Sequence, residues 1–154
     1  MENRSISLGD IGMGNLSEFE SRTGKLEFSG ETVWKFVTDI RNFERFIPAG
    51  SVSDLKIGND SCSFQVSMLG TVNISITEKT AHNMVLFSGN ALGQNNFSLI
   101  LNIDSTGLNK SEVKIRLSAE LNPMLKMIAS DPLKKFLETL ISEMEKFTGW
   151  DKTI

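Results

Sequence analysis

From Val52 to Leu121 the chain alternates apolar and polar residues with period two, and every such stretch has one greasy side that something else must cover. Ser61 to Met68 places Cys62, Phe64, Val66 and Met68 on one face and Ser61, Ser63, Gln65 and Ser67 on the other. Thr71 to Thr77 sets Val72, Ile74 and Ile76 against Thr71, Asn73, Ser75 and Thr77. Asn95 to Asp104 carries Phe97, Leu99, Leu101 and Ile103 inward, and Glu112 to Leu121 does the same with Val113, Ile115, Leu117, Ala119 and Leu121. Val52 to Ile57 and Met84 to Ser88 complete the set, the latter without assignable faces. The connections are short, with turn signals at Gly58-Asn59-Asp60, Gly70 and Ala81-His82-Asn83, so neighbouring strands are antiparallel.

The cover is at the C-terminus. Within Asn122 to Phe147, Leu133, Phe136, Leu137, Leu140, Ile141, Met144 and Phe147 fall at the three-and-four spacing of one helical face, while Lys134, Lys135, Glu138, Glu143 and Lys146 lie opposite. Asn122-Pro123 starts this helix, Gly149 ends it, and Trp150 folds back over its end. Because the residue before a proline avoids helical angles, Pro132 predicts a kink or break near Ser130. At the other end of the chain, Glu18 to Phe28 reads as a strand whose inward set changes parity at Gly24, the mark of a bulge. Ser29 to Thr32 then caps a short helix with the stripe Val33, Phe36, Val37 and Ile40. Asn42 caps a second one carrying Phe43 and Phe46, stopped by Pro48 and Gly50.

These elements define an α+β chain with a built-in mismatch of breadth. About seven strands at ~4.8 Å make a sheet roughly 30 Å wide, whereas a helix with its side chains is only ~10–12 Å across. The sheet must curl around the helix, the two short helices must close one end, and an apolar hollow is expected at the other. Bulky side chains filling that space are the alternative.

Composition narrows the classes of function. At 154 residues the chain suits one domain, expected over Glu18 to Gly149, with tails at Met1 to Ser17 and Trp150 to Ile154. A net charge of -3 disfavours nucleic acid and anionic membrane surfaces as partners. Membrane insertion is not expected, since no stretch approaches the ~20 apolar residues of a span. The single Cys62 cannot form an internal disulfide, no Cys or His cluster points to a metal, and no cofactor motif stands in a supporting context. Gly12-Met13-Gly14 lacks both the strand and the helix of a phosphate loop. A reducing, cytoplasmic location is the expectation.

The stretch Leu26-Glu27-Phe28-Ser29-Gly30-Glu31-Thr32-Val33-Trp34-Lys35-Phe36-Val37-Thr38-Asp39, followed by Phe43, Phe46, Ile47 and Pro48, resembles the strand-to-helix passage of the START-like (SRPBCC) superfamily. With the order of elements, the resemblance covers Phe19 to Phe147. It implies the helix-grip fold: a curved antiparallel sheet of about seven strands wrapped around a long C-terminal helix, with two short helices after the first strand. The small bacterial proteins associated with carbon monoxide dehydrogenase, and those of the polyketide cyclase-like kind, are closest in style. Enzymatic members place Tyr, His or Arg on the substrate; this chain has no Tyr, and its one His, His82, lies in a predicted turn.

The function this implies is binding of a small hydrophobic molecule, lipid-like or polycyclic, between sheet and helix. The expected lining is Val37, Ile40, Phe46, Phe64, Val66, Ile74, Phe97, Leu99, Leu117, Phe136, Leu140 and Met144. A cyclase/dehydrase-like enzyme and an accessory protein acting through a protein partner are the rival readings. Several polar residues admit two roles. Arg22 and Asp39 fit the pocket mouth or, as favoured, an exposed strand charge and a helix-end cap. Asn90, Gln94, Asn95 and Asn96 fit an entrance or ordinary turn chemistry. Met124, Met127 and Met144 fit an adaptable wall or core filler, and Cys62 reads as a buried thiol.

Overall fold

The computed structural model describes residues 16–45, 52–66, 70–91 and 95–151. The alternating stretches form one curved, eight-stranded antiparallel sheet. Its strands are β1 (Leu16–Glu20), β2 (Gly24–Leu26), β3 (Val52–Ile57), β4 (Ser61–Val66), β5 (Gly70–Thr80), β6 (Met84–Ala91), β7 (Asn95–Gly107) and β8 (Lys110–Glu120). β3 to β8 follow one another as a meander, and β1 and β2 lie end to end on β8. The inward register is continuous: Phe19 faces Leu117, Leu117 faces Leu99, Leu99 faces Phe87, and Phe87 faces Ile76. A row of Ser61, Ser75, Ser88, Ser98 and Ser118 crosses the outer face in the same way. A one-residue slip would exchange these rows, so burial fixes the pairing.

The first strand is interrupted, where a single bent strand was expected. Between the pairs Glu20–Arg116 and Gly24–Val113 the first strand uses one residue more than β8. Ser21 bridges the gap: its N–H donates to the Ile115 carbonyl (2.8 Å) and its Oγ accepts from the Ile115 N–H (2.9 Å). The parity change is therefore real, and it produces a break just ahead of Gly24.

Ser29 caps α1 (Gly30–Val37), its Oγ accepting from the Thr32 N–H at 3.2 Å. Val33, Phe36 and Val37 are buried along its inner stripe. The second short helix is 3-10, Ile40–Arg45, and Asn42 does not cap it. Asn42 is buried, and its Nδ2 donates instead to the Phe36 carbonyl (2.9 Å), which also accepts from the Asp39 N–H (3.3 Å) at the end of α1. Phe46, Pro48 and Gly50 lie outside the described residues. β6 runs on to Ala91, with Val85 and Phe87 buried, which assigns its faces and puts Gly89 and Ala91 on the inward parity.

α2 (Pro123–Lys146) is continuous through Pro132, so of the kink or break expected near Ser130 the break does not occur. Proline removes one backbone bond there, but Ala129 and Leu133, one turn apart, are both buried, and that burial offsets the loss. Asn122 caps it, accepting from the Leu125 N–H at 2.8 Å. Trp150 does return over the far end and is buried, with ring centroids 5.4 Å from Phe36 and 5.1 Å from Phe147.

α2 approaches the sheet most closely along β1, β2 and β8; α1 covers β6 to β8, and the 3-10 helix meets β3 and β4. Two features seat α2 on that side. A β-carbon at Gly24 would come within 2.8 Å of Ile141 Cγ2, so only glycine lets the helix sit this low. Arg22, between β1 and β2, reaches along the helix: its guanidinium donates to Glu145 Oε1 (2.8 Å) and Ser142 Oγ (3.0 Å) and pairs with Glu138 (3.3 Å). The backbone N–H groups of Arg22 and Lys25 donate to the Glu138 and Glu145 carboxylates.

This seating can be tested at both features. Gly24→Ala should destabilise by about 1–3 kcal/mol, the usual effect of overpacking, read as a lower urea midpoint; an unchanged midpoint would mean that the close approach does not matter. The hydrogen bond from Arg22, and then that from the Lys25 N–H, holds the Glu145 carboxyl below its ordinary range. A lowered folded value adds stability above the unfolded glutamate value of about 4.3, and this is lost as pH falls through the folded value. Glu145→Gln should therefore flatten the decline in stability between roughly pH 5 and pH 3, as followed by urea unfolding across that range; a decline as steep as that of the parent would contradict the clamp.

Candidate functional site

Seating α2 on one side leaves the rest of the apolar face to be filled by side chains alone, and two spaces remain between sheet and helix among the described residues. The first, about 50 Å³, lies where the inward positions carry small residues: Ala91 at the end of β6 and Ala119 near the end of β8. Phe64, Val66, Val72, Ile74, Phe97, Leu99, Leu117 and Leu121 wall it from the sheet side, and Leu133, Phe136 and Leu137 roof it from α2. Asn95 is the one polar residue of this lining among the described residues. The second, about 40 Å³, is bounded by Phe87, Leu99, Leu101 and Ile115 from the sheet, Leu140 and Met144 from α2, and Val37 and Ile40 from the α1 side.

The residues expected to line a cavity divide between these chambers. Phe64, Val66, Ile74, Phe97, Leu117 and Phe136 wall the first; Val37, Ile40, Leu140 and Met144 wall the second; Leu99 touches both. Phe46 lies outside the described residues. The expected wide hollow is replaced by two modest chambers because Phe64, Phe97, Phe136 and Phe87 project into the space between sheet and helix. Each exceeds the ~10–15 Å³ that admits a water, yet both fall below the ~150 Å³ of an engineered cavity that takes benzene. An apolar chamber of this kind stays dry. Ala91 and Ala119 share the parity of their neighbours, so the alternation could have revealed them; Leu133 and Leu137 belong to the helical stripe in the same way.

The polar candidates lie elsewhere. Arg22 is neither a mouth group nor a simple exposed charge, being bound to α2 as described. Asp39 pairs with Arg41 at 2.6 Å, and hydrogen bonding from that guanidinium lowers its carboxyl pKa. His82 is in the turn before β6, at φ 69°, with its ring edge-on to Trp34 at 5.4 Å. Asn90 accepts from Asn73 Nδ2 (2.9 Å) across strands, Asn96 is exposed, and Gln94 lies outside the described residues. Met124 and Met127 are 71% and 84% exposed, so of the three methionines only Met144 forms a wall. With Ile128 they are exposed at helical spacing on the leading half of α2, and Leu16 at the start of β1 is exposed as well. Among the described residues no three His, Cys, Asp or Glu side chains group to hold a metal, and no helix is long and apolar enough to cross a membrane.

Cys62 is buried, and burial pushes its thiol pKa up to about 11. It should react slowly with iodoacetamide at pH 8 in the folded protein and rapidly once unfolded in urea. Fast labelling of the folded form, followed by mass spectrometry, would contradict its placement.

A meander curled about a C-terminal helix, with a short α-helix and a 3-10 helix between the early strands and β3, is the helix-grip fold. Solved structures with the same architecture bear this out at low sequence identity. A START superfamily protein from Mycobacterium smegmatis matches with TM-score 0.62 and 14% identity, over 85% of this chain and 99% of that one. Norcoclaurine synthase from Thalictrum flavum matches with TM-score 0.69 and 10% identity, over 95% and 94%. The Zhui aromatase/cyclase from Streptomyces sp. R1128 matches with TM-score 0.59 and 11% identity, over 85% and 94%. No protein-family model matches the sequence. No curated protein matches it either.

Proposed function

We propose that this chain binds a small hydrophobic molecule between the sheet and α2, by burial rather than by covalent chemistry. The observation that carries the reading is the lining: two chambers walled by apolar side chains, with Asn95 the one polar contributor and no ionisable side chain among the described residues. Acid–base chemistry needs a titratable group within hydrogen-bond reach of the reacting atom, and none of the described residues brings one to either chamber. Removing apolar surface of a guest from water contributes about 25 cal/mol per Å², so affinity here scales with how much of the guest fits. The fold supports the reading in general terms, since one neighbour, norcoclaurine synthase, has been solved with dopamine and hydroxybenzaldehyde. On this reading Glu18 to Gly149 is the binding unit and works in the cytoplasm, in keeping with a lone, buried cysteine.

A second reading rests on a different observation. Met124, Met127 and Ile128 are exposed on one face of α2, and exposed apolar sets mark protein contact surfaces. An accessory protein working through a partner would use them.

Native mass spectrometry of the protein as purified separates the two. Binding predicts a retained apolar compound, or uptake of one from an added mixture, with a rise in melting temperature. A protein that neither retains nor takes up any apolar compound, while Met127→Lys abolishes association with a co-purifying protein, would favour the surface reading and reject the first.

A further inference from the structure

The outer face of the sheet carries a space larger than either chamber. A groove of about 440 Å³ lies across β3, β4 and β5, with Lys56, Gly58, Ser61, Ser63, Asn73 and Ser75 in its lining. That volume falls in the ~300–1,000 Å³ range of small-molecule sites. The strand register sets its side chains in a grid: Lys56, Ser63 and Asn73 stand in one row across three strands, and Ser61 faces Ser75 in the next. Cross-strand neighbours are ~5 Å apart and successive rows ~7 Å apart, so one sugar-sized molecule can meet several of them at once.

Lys56 belongs to this grid because β3 is bulged. Ser53 faces Gln65 and Lys56 faces Ser63, so Asp54 and Leu55 stand against Phe64 alone. Asp54, at φ 53°, takes up the extra length. In an unbroken strand Leu55 would stand opposite Ser63 on the outer face, and Lys56 would point into the core. Bulges and lysines also blunt edge strands against pairing with other chains, and β3 is an edge of the sheet. Edge protection gives no reason, however, for the hydroxyls left open on β4 and β5. Those of Ser61, Ser63 and Ser75, like the Lys56 ammonium, have no hydrogen-bond or ion-pair partner among the described residues. Asn73 is held differently: its Nδ2 donates to Asn90 Oδ1 at 2.9 Å, which leaves its own amide oxygen to accept.

These groups together select a ligand. Lys56 is the one charged side chain of the lining among the described residues, so charge complementarity calls for an anionic group beside it. The serine hydroxyls donate or accept, whereas the Asn73 oxygen only accepts; that oxygen suits a hydroxyl donor and disfavours a bare anion. We propose that the groove binds a small polyol bearing one anionic group, with the anion at Lys56 and Ser63 and the hydroxyls on Ser61, Ser75 and Asn73. A lysine acts as a point charge without the bidentate geometry of arginine, so phosphate and carboxylate both fit. The site is separate from the interior chambers and does not depend on their being occupied.

Titration of the isotope-labelled full chain with glucose phosphate, gluconate, glucose and inorganic phosphate at constant ionic strength, followed by amide chemical shifts, tests the proposal. At least one of the two anionic polyols should produce saturable shifts on β3, β4 and β5 and bind about fivefold or more tightly than either glucose or inorganic phosphate; the tighter of the two identifies the anionic group. Lys56→Gln should weaken that binding about three- to fivefold, the fold-change of one solvated ion pair, and should leave the response to glucose as it was. Ser61→Ala combined with Ser75→Ala should weaken the anionic polyol and leave inorganic phosphate unaffected. Absence of saturable shifts on these strands with either anionic polyol, inorganic phosphate binding as tightly as both, or unchanged affinity in folded Lys56→Gln would overturn the site, whatever the interior chambers bind.

Discussion

Gly24 and Arg22 decide where the long helix rests, and the rest of the interior follows from that position. At Gly24 the backbone of β2 comes so close to α2 that a β-carbon would stand 2.8 Å from Ile141 Cγ2. Arg22 holds the helix from outside, spanning Glu138 to Glu145. Exposed ion pairs are individually weak, so the clamp orients the helix while burial of Leu137, Leu140, Ile141 and Met144 supplies most of the stabilisation. A helix ~10–12 Å across that is fixed over β1, β2 and β8 cannot also cover β3 to β6.

What fills that remainder determines whether the interior is solid. α1 and the 3-10 helix bring Val33, Phe36, Val37 and Ile40 over one end, and Phe36, Phe147 and Trp150 close it as an aromatic cluster. Large side chains from the sheet occupy much of the middle. Near Ala91 and Ala119 the supply of bulk runs out, and a space remains under the leading part of the buried stripe of α2. Dispersion contacts missing on one side of such a wall are a standing cost to stability, one that an apolar guest would relieve. Stability and binding are thereby connected through the same residues.

Much of this architecture is legible in the amino-acid sequence. Period-two stretches such as Ser61 to Val66 and Glu112 to Glu120 state both strand and face, and the stripe from Leu133 to Met144 states the helix and its buried side. The exceptions are places where tertiary contacts overrule local preference. Pro132 does not end α2 because Ala129 and Leu133 are buried on either side of it. Asn42 gives up capping its own helix to donate to the Phe36 carbonyl at the end of α1. Arg22 reads as a surface charge until the helix more than a hundred residues later is laid beside it. The lining residues of the chambers were legible by parity, but the sizes of the chambers were not, since size depends on how Phe64, Phe97 and Phe136 share one volume.

A helix seated to one side leaves two small apolar chambers that share Leu99 in their walls, and the proposed binding depends on that space. Crystals pressurised with xenon address it without knowledge of any ligand, since xenon enters dry apolar cavities. Xenon should occupy sites on both sides of Leu99, one beneath Phe136 and one beside Met144. Crystals that bind no xenon between sheet and helix, with those side chains in contact throughout, would contradict the chambers and the binding built on them.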